Sequence, residues 1–233
     1  TEDAGINLHW SNDSKTLHWT LGNQYFSAKA SSDTKLIAQP TATINLDVKT
    51  DKPSGIIAFK NARIITMNGD IVIENGTIVV DQNKISAVGN SSEVTIPSNA
   101  KVYDVSGKTI MPGIVDAHAH IGGFRDGLTT QKHWQFYANL AYGVTTSHDP
   151  SANTQAVFAL SELLKSGQMV GPRLYSTGHI LYGADGDFKA VINSLDDARS
   201  SIKRTKAFGA LSVKSYNQPR REQRQQILQA ARE

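Results

Sequence analysis

The chain has 233 residues, a formal net charge of +3 at pH 7 and no cysteine, a size typical of one or two domains. Hydrophobic residues make up 39% of the sequence, which excludes a disordered chain, and no apolar run approaches the ~18 residues of a membrane span. The lack of cysteine excludes a disulfide framework, a thiolate zinc site and a cysteine nucleophile, while the scattered basic residues disfavour nucleic-acid binding. The acidic first residues show no export signal. We therefore expect a soluble globular protein whose seven histidines are the main candidates for metal chemistry.

Residues 1–28 are predicted to form an antiparallel β-meander. The tripeptide Leu-His-Trp occurs at residues 8–10 and again at 17–19, and turn-forming residues separate these short aromatic runs, as in consecutive hairpin strands. Such a piece buries little surface by itself, so we expect it to be the edge of a larger β-structure. Residues 29–55 are predicted to be a connector with one strand, in which Ile44, Leu46 and Val48 alternate with polar residues.

Residues 56–112 are rich in predicted strands. Apolar runs alternate with the turn signals Asn68-Gly69, Asn75-Gly76 and Asp81-Gln82-Asn83, and Asn-Gly pairs tolerate the positive φ angles of tight hairpin turns. The sequence therefore predicts a small sandwich or half-barrel of five to seven strands in this region.

From residue 113 to residue 233 the pattern changes to strands that alternate with helices. Strands are predicted to begin near Gly113, Val144, Arg173 and Ala210, roughly 30 residues apart, which is the length of one βα unit. The helices are predicted over 126–141, 154–166, 194–208 and 219–233. This alternation predicts an α/β fold with a parallel sheet wrapped by helices.

The first βα strand ends in the sequence Asp116-Ala-His-Ala-His120. Residues two apart in a strand share a face, so His118 and His120 are predicted to point the same way, at the carboxyl end of a parallel strand. Two imidazoles in this position can bind one divalent cation. The alternative is that they are two ordinary polar residues at a strand end.

The predicted fourth strand, residues 210–216, directs Ser212, Lys214 and Tyr216 toward the interior of the barrel. Burial of a lysine favours its neutral amine, which can take up carbon dioxide to form a carbamate, an anionic ligand able to bridge two cations. The alternative is a lysine that is ion-paired with a neighbouring carboxylate. We favour the carbamate because the two histidines of the first strand are close by in the predicted barrel.

Two further histidines follow the second and third strands, where barrel loops form active sites. His148 and His179 are candidates to contact substrate, as is Tyr216, although a loop histidine that is hydrogen-bonded to backbone is an equal alternative. No dinucleotide-binding, phosphate-binding or nucleophile-elbow motif is present, so the sequence gives no support to nucleotide cofactors or a serine nucleophile.

Residues 56–233 resemble the amidohydrolase superfamily. The resemblance is carried by the β-rich segment, by the sequence PGIVDAHAH and by the inward lysine of the fourth strand. The stretches GVTTSHDPS and VKSYNQPRREQRQQILQAARE are similar to the imidazolonepropionase-related and prolidase-like branch, and LHWSNDSKTLHWTLGNQYF is similar to the last blade of a Tol-type propeller.

The resemblance implies a (β/α)8 TIM barrel with one or two divalent metal ions, usually zinc. His118 and His120 match the first ligand pair, and Lys214 matches the bridging carbamylated lysine. In the family, a metal-activated water attacks an amide, peptide-like or cyclic amide bond of a small-molecule or peptide-like substrate. A catalytic aspartate on strand eight and further ligand histidines on strands five and six are expected beyond this chain.

The sequence holds four βα units, the first half of such a barrel, so the missing barrel half is needed for a complete fold. We therefore expect the 233-residue chain to be inactive alone. The alternative is a non-catalytic binding or scaffold protein that has lost the metal site, an interpretation motivated by the propeller-like segment. A homo-oligomer and an exported or periplasmic location, common among full-length relatives, stay open.

Overall fold

The computed structural model describes residues 5–30, 39–122 and 130–233. These residues form two compact units, of which one comprises the described residues up to Lys49 together with those from Val115 onward, and the other comprises Thr50–Ile114. Within the described ranges, every helix is too short or too polar to cross a membrane.

The predicted meander is present and gains a fourth strand. Strands β1 (Ile6–Trp10), β2 (Thr16–Leu21), β3 (Gln24–Lys29) and β4 (Ala42–Thr43) form an antiparallel sheet in chain order. One face of the sheet is buried, where Trp19 stacks on Phe26 with ring centroids 5.3 Å apart.

The predicted strand through Ile44, Leu46 and Val48 is wrong. The last strand of this region ends at Thr43, and the three apolar side chains are exposed. Alternation alone does not make a strand when no neighbouring backbone pairs with it and no core covers its apolar face.

The Thr50–Ile114 unit is one five-stranded sheet, which agrees with the predicted number of strands, and the unit has no second sheet that would make it a sandwich. Its strands are β5 (Ile56–Ile65), β6 (Val72–Asp81), β7 (Lys84–Asn90), β8 (Lys101–Asp104) and β9 (Thr109–Ile110), in the order β7-β6-β5-β8 with β9 also pairing with β5. A small apolar cluster centred on Ala62, Ile64 and Ile78 holds the sheet.

The turn predicted at Asn75-Gly76 is wrong, because both residues lie inside β6. Gly76 pairs with Ala62 on one side and with Asn90 on the other. A Cβ atom at Gly76 would collide with the side chain of Ile64, so this glycine serves close packing between strands. The turn predicted at Asp81-Gln82-Asn83 is confirmed between β6 and β7, with Gln82 at φ 55°.

The βα region begins as the sequence predicts. A sheet of β10 (Ile114–Asp116), β11 (Val144–Asp149) and β12 (Arg173–Ser176) is accompanied by α1 (Trp134–Ala141) and α2 (Thr154–Ser166), and β11 and β12 are parallel. The chain continues through the parallel pair β13 (Ile180–Tyr182) and β14 (Lys189–Val191), which the sequence did not predict, to α3 (Leu195–Ala207) and α4 (Arg221–Arg232).

Local capping explains why α2 and α3 begin where they do. The side chain of Asn153 accepts a hydrogen bond from the Ala156 N–H at 3.1 Å, and Ser194 and Asp197 form a reciprocal capping box, so donors that the first helical turn leaves unpaired are satisfied. The predicted helix over 126–141 begins only at Trp134, and its first residues, 126–129, lie outside the described residues.

The predicted fourth strand is wrong as a continuous strand. Residues 210–216 make one isolated parallel bridge, between Leu181 and Ser215, with the Leu181 N–H donating to the Lys214 carbonyl at 3.0 Å. Leu211 is 81% exposed. Val213, the next apolar residue of this segment, is partly buried and packs against the cluster formed by Leu181, Ile192 and side chains of α3 and α4.

Candidate functional site

His118 and His120 lie just beyond the end of β10, where Ala117 and His118 form a turn and the His118 N–H donates to Oδ1 of Asp116 at 3.0 Å. The intervening Ala119 and the following Ile121 are buried in the core that α1, α2 and β12 share, whereas both histidines are exposed. The Ala119 N–H donates to the His148 carbonyl at 2.9 Å, which ties this segment to β11. The two imidazole rings lie with centroids 5.1 Å apart at 76°, so the structure brings the predicted pair together.

The buried carboxylate of Asp149, at the end of β11, supports His120. Its side chain is 2% exposed, and its Oδ1 atom lies 3.5 Å from Nδ1 of His120. The carboxylate also accepts hydrogen bonds from the backbone N–H groups of Gly122, at 2.8 Å, and Ser151, at 3.0 Å. A buried carboxylate is costly unless it is paired in this way, so these bonds fix its position.

The contact between Asp149 and the segment after His120 requires a glycine at position 122. A Cβ atom there would lie 2.6 Å from Cγ2 of Val157 and 3.0 Å from Oδ2 of Asp149. Gly122 therefore lets the backbone approach the carboxylate closely enough to donate its N–H. Gly123, the second glycine of the pair, lies outside the described residues.

The histidine–carboxylate pair has a clear chemical consequence. An ionised carboxylate accepts hydrogen bonds only, so Asp149 favours the tautomer of His120 with its proton on Nδ1. The Nε2 atom then carries the free lone pair that a metal ion requires, an arrangement found around most metal-binding histidines.

His148 lies on the other face of β11 from Asp149 and reaches the segment that was predicted as the fourth strand. Its Nε2 atom is 2.9 Å from the hydroxyl of Ser212. His148 was predicted to follow the second strand but lies within β11, and its partner Ser212, 64 positions away, was predicted to be inward on a strand but is exposed and outside any strand.

Lys214 and Tyr216 belong to a cluster of cations and aromatic rings. The Lys214 ammonium lies 5.3 Å from the Tyr216 ring centroid, and Lys189 lies 4.9 Å from that of Tyr182. The two tyrosine rings are in edge contact at 5.4 Å. Within residues 5–30, 39–122 and 130–233, no carboxylate forms an ion pair with Lys214, so the ion-paired alternative has no partner there.

His179 lies away from the histidine pair, in a cavity of about 570 Å³. The cavity is lined by residues of the meander, of β14 and of α3, among them Lys189 and Arg204, and by none of His118, His120 and Lys214. The Nδ1 atom of His179 is 2.6 Å from the Thr154 hydroxyl. Burial lowers the pKa of His179, and the charge of Arg204 lowers it further, so the ring is held neutral.

Asp149 is the functional candidate that sequence reasoning missed. The signal was present in the stretch Thr-Ser-His-Asp, because alternation along β11 places Ser147 and Asp149 on one face and His148 on the other. Asp149 was overlooked because the adjacent His148 was the residue considered as a candidate. Over the described ranges, no group of three or more His, Asp or Glu side chains has the geometry to hold a metal ion, and the predicted ligands that lie together are the pair His118 and His120.

Comparison of the sequence with protein-family models and with curated proteins finds no match. Solved structures do match. A proposed prolidase from Bifidobacterium longum superposes with a TM-score of 0.61 and 24% identity, over 77% of this chain and 47% of that chain. A Xaa-Pro dipeptidase with methionine bound in its active site superposes with a TM-score of 0.59 and 18% identity, over 76% of this chain and 54% of that chain.

A bottromycin amidohydrolase gives a TM-score of 0.58 and 18% identity, over 76% of this chain and 36% of that chain. These likenesses show that the chain has, in part, the fold of prolidases and other amidohydrolases. It spans about half the length of the first two structures, 47% and 54%. The likeness of residues 1–28 to a propeller blade stays a prediction.

Proposed function

We propose that this chain is part of a metal-dependent amidohydrolase of the prolidase-like branch, which hydrolyses a carbon–nitrogen bond with metal-activated water. The observation that carries the proposal is the pair His118 and His120, with rings 5.1 Å apart and with His120 held by Asp149. The pair follows the first strand of a βα series whose fold is that of prolidases.

His118 and His120 would hold a divalent ion through ring nitrogens, and their arrangement suits that role. His120 has a carboxylate oxygen 3.5 Å from its Nδ1 atom, on the side where metal-binding histidines commonly have a carboxylate, and both histidines are exposed. A bound zinc ion would supply a water of lowered pKa and would polarise the scissile carbonyl.

Lys214 is assigned as the third ligand, in the form of a carbamate. Its support is the likeness to the family, together with the position of its backbone beside β13, where the Leu181 N–H donates to the Lys214 carbonyl. The carbamate would add the negative charge that two imidazoles lack. His148 and Tyr216 are assigned to substrate contact, His148 through its bond to Ser212 and Tyr216 through its place beside Lys214.

The likeness to structures described as a prolidase and a Xaa-Pro dipeptidase makes dipeptides with carboxyl-terminal proline the first substrates to test. N-acyl amino acids contain the same type of amide bond and form the second set. His179 faces a separate cavity and is not assigned to this reaction.

The test is to measure the bound zinc and the hydrolysis of both substrate sets for the protein that contains this chain. Lys214→Ala and His118→Ala should each lower the zinc content and reduce hydrolysis to background, whereas Lys203→Ala, at an exposed lysine of α3, should change neither. Equal zinc content in the wild type and in His118→Ala would overturn the proposal and favour a binding or scaffold role.

A further inference from the structure

The open face of the meander carries two histidines that the proposed hydrolase does not use. His9 on β1 and His18 on β2 are directly opposite each other in the antiparallel register. Their rings are nearly parallel, at 19°, with centroids 5.2 Å apart. Trp19, the neighbour of His18 on β2, points to the buried face of the sheet, so His18 lies on the opposite face, where it is half-buried and His9 is exposed.

The Nδ1 atom of each ring is already engaged by the protein. Nδ1 of His9 lies 2.7 Å from the carbonyl oxygen of Asn7, and because a carbonyl can only accept, this nitrogen carries the proton and donates. Nδ1 of His18 lies 2.6 Å from the hydroxyl of Tyr25, whose oxygen can accept in the same way.

This arrangement leaves Nε2 of His9 available, and Nε2 of His18 is available in the tautomer in which Nδ1 donates to the Tyr25 oxygen. With the proton on Nδ1, Nε2 presents its lone pair, and hydrogen bonding of the opposite nitrogen to a carbonyl or hydroxyl is the usual support of a metal-binding imidazole. Side chains directly opposite on antiparallel strands have Cβ atoms about 5 Å apart, so both rings can reach one ion without movement of the backbone.

The local backbone is shaped to make the first of these bonds. The register of β1 and β2 is irregular between Ile6 and His9, and Asn7 lies at φ 57°, a conformation that asparagine tolerates better than most residues. A bulge of this kind redirects the groups around it, and here it turns the Asn7 carbonyl toward the His9 ring. Asp13, in the turn that follows β1, adds a negative charge that interacts with His18.

We propose that His9 and His18 form a surface metal-binding site in which the two Nε2 atoms bind one late divalent transition-metal ion, such as Cu²⁺ or Zn²⁺. Imidazole is a preferred ligand of these ions, and Cu²⁺ binds most tightly in the divalent series. Water would complete the coordination. The bound ion would cross-link the edge strand β1 to β2 and thereby stabilise the meander. The proposal is independent of the proposed hydrolase function, since it uses different residues in a different element.

The test is a titration of the full 233-residue chain with Cu²⁺, followed by calorimetry and by electron paramagnetic resonance. His118→Ala and His120→Ala are combined in the background so that the other candidate centre does not contribute. We expect one bound ion with two nitrogen ligands in the spectrum. His9→Gln and His18→Gln should each weaken binding at least tenfold, and Tyr25→Phe should weaken it about 10- to 100-fold because it removes the support of His18.

Lys29→Gln, at an exposed lysine on β3 of the meander, is the control and should leave the affinity unchanged. Unchanged affinity in the double variant His9→Gln/His18→Gln would overturn the proposal. A second measurement does not depend on the folding of any variant: Zn²⁺ added to the background protein should shift the ring resonances of His9 and His18 in NMR spectra. Unchanged chemical shifts of the His9 and His18 rings after the addition of Zn²⁺ would contradict the proposed metal site.

Discussion

At the scale of single residues, the candidate site depends on a carboxylate that holds a histidine. Asp149 accepts two backbone hydrogen bonds and lies 3.5 Å from Nδ1 of His120. The backbone N–H groups of Gly122 and Ser151 hold the Asp149 carboxylate in place, and the carboxylate lies beside the His120 ring. Asp149 is therefore a positioning residue for the proposed metal centre, and not itself one of the proposed ligands.

Asp149→Asn tests this role. An amide cannot carry the negative charge that favours the proton on Nδ1 of His120, so we expect the zinc affinity of the protein to fall about 10- to 100-fold. Calorimetric titration of the metal-free protein with Zn²⁺ measures the affinity without reference to activity. Asp185→Asn, at an exposed aspartate, is the control and should bind as the wild type does. Equal affinity in the two variants would show that Asp149 has no part in metal binding.

His179 predicts a pH dependence of stability. Its pKa is lowered in the folded protein, first by burial and then by Arg204, so the unfolded chain takes up a proton at a higher pH than the folded chain does. As the pH falls below the usual histidine value of about 6.5, the free energy of unfolding should therefore decrease, and the decrease ends once the pH passes the lower folded-state pKa.

Urea denaturation of the full chain at pH 7.5 and pH 5.5 measures this effect. His179→Gln should lose less stability between the two values than the wild type, because its side chain does not titrate. Lys203→Gln, at an exposed lysine of α3, is the control and should behave as the wild type. If the wild type and His179→Gln lose equal stability on acidification, the burial of a neutral ring at position 179 is contradicted.

At the scale of elements, the helices and strands that could be predicted are those whose limits are determined by residues close together in the sequence. Helices α2 and α3 were predicted to within one residue, because Asn153 and Ser194 cap them and amphipathic spacing follows. The strands β10, β11 and β12 are short and partly polar, and they were predicted from the regular spacing of βα units, which also gave the parallel pairing of β11 with β12.

The elements that were missed depend on distant partners. Asn75-Gly76 has the composition of a turn, but it lies in β6 because a strand on each side leaves no room for a side chain there. Residues 210–216 alternate as a strand does, yet only Ser215 finds a bridge, to Leu181. The strand predicted through Ile44 failed for the same reason. Periodicity reports which side chains alternate, whereas pairing depends on backbone groups far away in sequence.

At the scale of the whole molecule, the site could be predicted in part. The proximity of His118 and His120 was predicted from strand alternation, although β10 ends at Asp116 and the pair is held by the turn that follows and by the bond from the Ala119 N–H to the His148 carbonyl. The support from Asp149 depends on a contact 29 residues away from His120, through a buried face that composition does not reveal. The chain spans about half the length of the prolidase structures it matches. The central claim therefore concerns residues that this chain itself contains: a metal ion held by His118 and His120.

The most direct test of that claim is a crystal structure of the protein that contains this chain, grown with Zn²⁺ and measured at the zinc absorption edge. The account predicts an anomalous peak about 2.0–2.1 Å from a ring nitrogen of each of His118 and His120, the usual zinc–nitrogen distance, with Asp149 on the other nitrogen of His120. A zinc-loaded protein whose anomalous map shows no peak between these two rings would contradict it.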